Sequence, residues 1–209
     1  MVVIIDYGMG NLHSVYNALK KIGCSCIISN KIKEIEQADG LILPGVGAFY
    51  DCMENLKCSG LIEVIKKQCK RQVPLLGICL GMQVLFEKGY EGRECDGLGL
   101  MKGVIKPMVD SSVKIPHIGW NRLEINKKDE LLPFESNPFV YFVHSFFAQD
   151  YEDNQLIAYS EYGNLKIPAY VRKDNIFGMQ YHPEKSGDDG LKMLQAFVEL
   201  CENENKKEN

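Results

Sequence analysis

Four apolar runs limit what this chain can fold into: VVIID at 2–6, CIIS at 26–29, GLILPG at 40–45 and PLLGICLG at 74–81. None alternates apolar with polar residues, as a strand with one wet face would, so they read as strands buried on both faces. Loop or helix signals follow each run. YGMGN leads into a helical pattern at 12–22, a polar segment follows residue 29, a helix is expected near 50–71, and another in MQVLFEK at 82–88. Strand and helix in turn predict a parallel sheet covered by helices on both sides. From about residue 96 the texture changes. GLGLMKGVIKPM, HIGWNRLEI, FVYFVHSFFA, LIAYSEY and PAYVRKDNIFGMQYHPE are short strand-like pieces divided by Gly, Pro, Asn and Asp, which suggests antiparallel pairing. The expected class is therefore α/β: a central, mostly parallel mixed sheet flanked by helices, with an antiparallel C-terminal portion. No repeat or low-complexity linker divides the two textures, so residues 1–201 are expected to form a single domain, the textures being halves of one mixed sheet. DGLKMLQAFVELCE predicts a last helix. Residues 202–209, ENENKKEN, are too polar to pack and are expected to form a disordered tail.

Composition bears on partners and compartment. The 209 residues are 45% apolar and carry a formal net charge of -4, with acidic and basic residues mixed along the chain. There is no basic stripe for nucleic acid and no cationic amphipathic helix for a membrane surface. The opening MVVIID is cut off by Asp6, too early for a signal-peptide core, and the expected location is cytoplasmic. Cys24, Cys26, Cys52, Cys58, Cys69, Cys79, Cys95 and Cys201 form no CxxC pair and no regular framework, so reduced thiols are expected. His13, His117, His144 and His182 show no HxxxH spacing. Neither a metal nor a cofactor is expected.

The fourth run carries the chemistry. Gly77-Ile78-Cys79-Leu80-Gly81 follows a strand and precedes a helix, the spacing of a nucleophile elbow with cysteine in the nucleophile position. A strand turning sharply into a helix strains the middle residue, and glycines two positions away avoid the collision. The Cys79 thiol would then stand out of the sheet at a helix N-terminus, where the dipole favours thiolate, with the Leu80 N–H beside it as an oxyanion donor. A cysteine in an apolar run is also the ordinary buried core thiol, and the elbow alone leaves both readings open. MQYHPEKS at 179–186 supplies a base and an orienter: on a strand-like segment His182 and Glu184 share a face, so the carboxylate can hold the imidazole for the thiol. A third motif, LPGVGAF at 43–49, leaves backbone N–H groups of Val46 and Gly47 at the end of a strand, where they could complete an oxyanion hole or simply make a turn. Gly45 and Gly47 would let the peptide between them turn over.

PGVGAF, GICLGMQ and QYHPEKSG, in this order over nearly the whole chain, resemble the class I, triad-type glutamine amidotransferases. Within that family DYGMGNL at 6–12, PHIGWN at 116–121 and YFVHSF at 141–146 resemble the branch formed by the glutaminase subunits of imidazole glycerol phosphate synthases. The resemblance implies that Cys79 attacks the carboxamide of glutamine, with His182 as base and then acid, Glu184 as its orienter, and ammonia as product. It implies that Gln83 contacts bound glutamine, that Glu91 pairs with its α-ammonium, and that the backbone of His144, Ser145 and Phe146 holds its carboxylate. It also implies a heterodimer with a (βα)8-barrel cyclase subunit of histidine biosynthesis, which receives the ammonia by a protected route. Asn11, Tyr141 and Lys185 resemble interface positions near that route. Trp120, the lone tryptophan, resembles an interface anchor, though a core position would also suit it. Arg122 stands where glutamine is common in the branch, and Phe146 where tyrosine is common. These departures leave room for a paralogue that supplies ammonia for amidination of a surface sugar. A non-enzymatic thiol sensor is a reading of another class, opposed by the intact Cys-His-Glu set.

Overall fold

In the computed structural model, which describes residues 1–207, the first apolar run forms β1 (Val2–Ile5). Val2 and Ile4 pack into one core layer, Val3 and Ile5 into another. Both faces are covered, which is why the run has no polar position. The chain continues through α1 (Leu12–Lys21), β2 (Cys26–Ser29), α2 (Ile32–Glu36), β3 (Gly40–Gly45), α3 (Phe49–Cys58), α4 (Leu61–Lys70), β4 (Leu75–Cys79) and α5 (Leu80–Gln83). Next come β5 (Lys88–Gly89), β6 (Cys95–Asp96), β7 (Val104–Pro107), β8 (His117–Arg122), β9 (Glu124–Ile125), β10 (Phe139–His144) and β11 (Phe146–Gln149). The last elements are β12 (Leu156–Tyr162), β13 (Leu165–Lys173), β14 (Ile176–Met179) and α6 (Gly187–Lys207).

An eight-stranded sheet in the order β2-β1-β3-β4-β14-β13-β12-β9 forms the middle of the molecule. Its β2 to β14 pairings are parallel, and the β14-β13-β12-β9 side is antiparallel. One core layer holds Val15 and Leu19 of α1 with Leu194 and Phe197 of α6; the other holds Ile35 of α2, Phe49 and Leu56 of α3, and Ile65 of α4. Each such fully buried side chain is worth roughly 1.5–3 kcal/mol, so a polar residue on either face of β1, β3 or β4 would be strongly destabilising.

Four expectations need adjustment. The helix expected near 50–71 is two helices, because Gly60 at φ +70° turns the chain between α3 and α4. The helix expected in MQVLFEK is only α5. The carbonyls of Val84, Leu85, Phe86 and Glu87 accept from the N–H groups of residues 97–101 instead of from the next helical turn. The antiparallel pieces do not all join the main sheet: β8 and β10 form a two-stranded ribbon, and β11-β7-β5-β6 a separate four-stranded sheet. The run FVYFVHSFFA changes partner at Ser145, pairing with β8 through His144 and with β7 from Phe146. Finally, α6 continues as helix to Lys207, into the segment expected to be a disordered tail; residues 208–209 of that segment lie outside the described residues.

Candidate active site

β3, β4 and β14 run side by side, with Gly45 opposite Cys79 and Met179 opposite Ile78, so the loops leaving their C-terminal ends share one crevice. Cys79 closes β4 with φ +54° and ψ -111°. Positive φ at a non-glycine residue stores strain, and here it sits at the strand-to-helix junction with the thiol in the wall of a cavity. The flanking glycines permit the turn. A Cβ on Gly81 would run into the Leu43 carbonyl oxygen, and one on Gly77 into that of Gly81.

His182 lies just beyond β14. Its Nδ1–H donates to Glu184 Oε1 at 2.8 Å, and both side chains are almost fully buried. The pair does not meet across a strand face as expected. β14 stops at Met179, and Pro183–Lys185 form a 3-10 turn that brings the carboxylate back to the ring. Proline at the start of that turn has no N–H for a ladder and a fixed φ suited to the turn. Backbone bonds hold the ring in place: His182 N–H donates to the Tyr141 carbonyl (2.9 Å), Tyr141 N–H to Ser186 Oγ (3.0 Å), and Ser186 Oγ–H to the His182 carbonyl (2.6 Å). With Nδ1–H committed to Glu184, Nε2 is the nitrogen at which the ring gains or loses its second proton. Burial alone would lower the His182 pKa, but hydrogen bonding and charge from Cys79 and Glu184 outweigh it and raise it to about 9.

The cavity holds about 180 Å³, on the scale of one amino acid rather than of larger ligands, whose pockets reach several hundred Å³. It is lined by Val46, Gly47, Cys79, Leu80, Gln83, Glu91, Val143, His144, Ser145, Phe146 and His182. The structure thus brings together the residues expected around a nucleophile and a bound glutamine, with Glu184 behind His182. Glu91 accepts from Phe49 N–H at 2.9 Å, and burial pushes its carboxyl up despite that bond, with Asp51 adding to the rise. Gly47 has φ +98°, whereas Gly45 is extended in β3 and packs so close to Gly81 that a Cβ would strike its backbone nitrogen. The freedom of that loop therefore lies on the Gly47 side of Val46. Among the described residues no group of three or more His, Cys, Asp or Glu is placed to hold a metal ion.

Residues 3–200 match the family model for glutamine amidotransferase class-I. The chain belongs to this family. An imidazole glycerol phosphate synthase subunit HisH from Lactococcus lactis is 53% identical over 199 residues, 95% of this chain and 98% of that protein. A HisH subunit from Oceanobacillus iheyensis is 48% identical over 96% of this chain and 99% of its own length. The solved structure of PurLQS from Thermotoga maritima shares the fold with a TM-score of 0.71 at 21% identity, covering 95% of this chain and 97% of that one.

In this amidotransferase three positions that sequence reading left without a role meet the site. Gln180, fully buried, lies between Gln83 and Cys79. Tyr7 donates its hydroxyl to the Pro44 carbonyl at 2.8 Å and accepts from the Cys52 thiol, holding the peptide before the Val46 loop. His117, stacked between Phe142 and Tyr162, lies 3.1 Å from His144 Nε2 through Nδ1. His144 Nδ1 faces the Phe146 carbonyl at 2.9 Å, so one tautomer satisfies the chain: each Nδ1 donates and each Nε2 accepts. DYGMGNL, PHIGWN and QYHPEKSG marked all three positions as motif members, but only the fold gives them partners. Of the expected interface residues, Trp120 is 56% exposed on β8, opposite Tyr141 on β10 with ring centroids 6.2 Å apart. Lys185 Nζ lies 6.0 Å from the Tyr141 ring. Asn11 stands at the N-cap position of α1, where its side chain accepts from Ser14 Oγ rather than from a backbone N–H of the helix.

Proposed function

We propose that this chain is the glutaminase subunit of an imidazole glycerol phosphate synthase, hydrolysing glutamine to glutamate and ammonia for a (βα)8-barrel cyclase subunit. The observation that carries the reading is the buried His182–Glu184 pair set beside a strained Cys79 in a cavity of amino-acid size. In this reading the Cys79 proton passes to His182 Nε2, and the sulfur attacks the carboxamide carbon of glutamine. The oxyanion that forms is met by the Leu80 N–H and by an N–H of Val46 or Gly47, each donor worth roughly 10² to 10³ in rate. His182 then returns the proton to the departing nitrogen, which leaves as ammonia. Water activated by the same ring cleaves the thioester and releases glutamate. Gln83, Glu91 and the segment of His144, Ser145 and Phe146 hold the substrate's amino-acid end.

A partner is supported by an unusual surface. Ile118 (58% exposed), Trp120 and Phe139 (each 56%) stand with Val143 on the outer side of the β8–β10 ribbon, an apolar strip of the kind that marks protein interfaces. Asn11, Tyr141 and Lys185 are placed at that contact in this proposal. A cytoplasmic location belongs to the same reading, since all eight cysteines are free thiols, suited to a reducing compartment. No helix among the described residues is long and apolar enough to cross a membrane.

The test is Cys79→Ala in the complex with the cyclase. Glutamine-dependent formation of imidazole glycerol phosphate should be lost, while ammonia-dependent formation persists at the wild-type rate. Retained glutaminase would sink the triad assignment. Failure of the wild-type chain to serve that cyclase, with turnover restored by a sugar-amidinating partner, would move it to the paralogous branch.

A further inference from the structure

The amide of Gln180 is fixed in direction by a chain that begins at a backbone carbonyl. The Phe146 carbonyl can only accept, so the Gln83 side chain must present Nε2 to it, at 2.9 Å. The second hydrogen on that nitrogen points to Gln180 Oε1 at 3.0 Å. Gln180 must then turn Nε2 the other way, and it lies 3.8 Å from Cys79 Sγ, within reach of an N–H···S hydrogen bond. Reversing Gln180 would set donor against donor at the middle contact, and reversing Gln83 would set its oxygen against two acceptors. Gln83 and Gln180 are both buried, so water cannot replace a lost partner.

The environment of the sulfur gives this donor its importance. In the thiol form the S–H can donate to the Val143 carbonyl at 3.8 Å, and a carbonyl offers the sulfur nothing to accept once the proton has gone. The groups that titrate around the sulfur are His182, backed by Glu184, and Tyr7. Of the side chains that do not titrate, Gln180 is the one that hydrogen-bonds to Sγ among the described residues.

We propose that Gln180 is a catalytic residue of the glutaminase reaction, donating an amide N–H to Cys79 Sγ so that the thiolate is stabilised when His182 takes the proton. The inference rests on the triad reading above. No bond to Gln180 forms or breaks, and its proton stays on nitrogen throughout. The Phe146–Gln83–Gln180 chain also ties the sulfur to the segment that would hold the glutamine carboxylate, so an occupied substrate site and a stabilised nucleophile share one set of hydrogen bonds.

The test compares wild type, Gln180→Leu and Gln180→Glu as full-length chains, following alkylation of Cys79 by iodoacetamide across pH with peptide mapping, and glutaminase kinetics in the complex. A hydrogen bond to a charged group predicts a half-maximal alkylation pH about one unit higher in Gln180→Leu, and a kcat about tenfold or more lower with KM for glutamine little changed. Gln180→Glu keeps the contact with Gln83 but turns an oxygen toward the sulfur, so it should shift alkylation at least as far. An unmoved alkylation profile in a folded Gln180→Leu overturns the proposal; if that variant does not fold, an unmoved profile in Gln180→Glu does. Cys79→Ala in parallel separates the two claims, because glutaminase surviving that change defeats the triad itself rather than the part assigned to Gln180.

Discussion

At Gly81 even one methyl group has nowhere to go, since it would strike the Leu43 carbonyl in the neighbouring strand and force α5 away from β3. Gly81→Ala should therefore destabilise the chain by about 3 kcal/mol in chemical denaturation and lower glutaminase activity with it. An unchanged denaturation midpoint would show that α5 can shift freely. His182 gives a second prediction, through its proton. In the unfolded chain it releases that proton near pH 6.5, while in the folded chain it holds it to about 9. The resulting stabilisation is complete below pH 6.5 and disappears as pH rises toward 9. Glu184→Gln removes much of its source, so the gap in Tm between wild type and variant should be widest below pH 6.5 and narrow toward pH 9. A gap that stays constant over that range would mean the folded ring is not charged. Sequence could point to Cys79, His182 and Glu184, which the fold gathers at one cavity, because glycine spacing and the HPE triplet are local signals. The contact of Gln180 with Cys79 had no such signal, since its direction is decided by Gln83 and by a carbonyl far away in sequence.

The runs behind β1 to β4 were readable element by element because a strand covered on both faces leaves an unbroken apolar signature, as Val2 to Ile5 do. The short helix α5 was not. Nothing in VLFEK announces that its carbonyls will be claimed by residues 97–101, and a helical pattern without competitors would have continued. Ser145 was equally hidden: FVYFVHSFFA looks like one strand and changes partner in the middle. The ribbon β8–β10 also sets an acid limit. Burial holds His117 and His144 down, to about 4 and about 3, whereas both would take up protons near pH 6.5 once unfolded. Their contribution to stability is whole above pH 6.5 and falls away as pH drops toward 4 and then 3. His117→Gln should flatten the decline in Tm between pH 6.5 and 4. A decline as steep as that of wild type would place the acid sensitivity elsewhere.

For the whole molecule the exposed strip on the ribbon predicts where association energy concentrates. Trp120→Ala should weaken binding to the proposed cyclase partner about 30-fold or more, as loss of a central aromatic anchor does, while leaving the Tm of the isolated chain near wild type because the residue is mostly exposed. Unchanged affinity in calorimetry would remove Trp120 from the interface. Tyr141 joins this surface directly to the turn that carries His182 and Glu184. Its ring faces the exposed strip, while its own N–H and carbonyl hold Ser186 and His182. If the proposed cyclase contact is made there, a cyclase borrowed from a distant species would press on that ring with a differently shaped surface, and the misfit would pass through one residue's backbone to the imidazole. Mixed-species pairs should therefore differ in turnover even at concentrations where association is complete, and compensating changes in such hybrids should collect around residue 141.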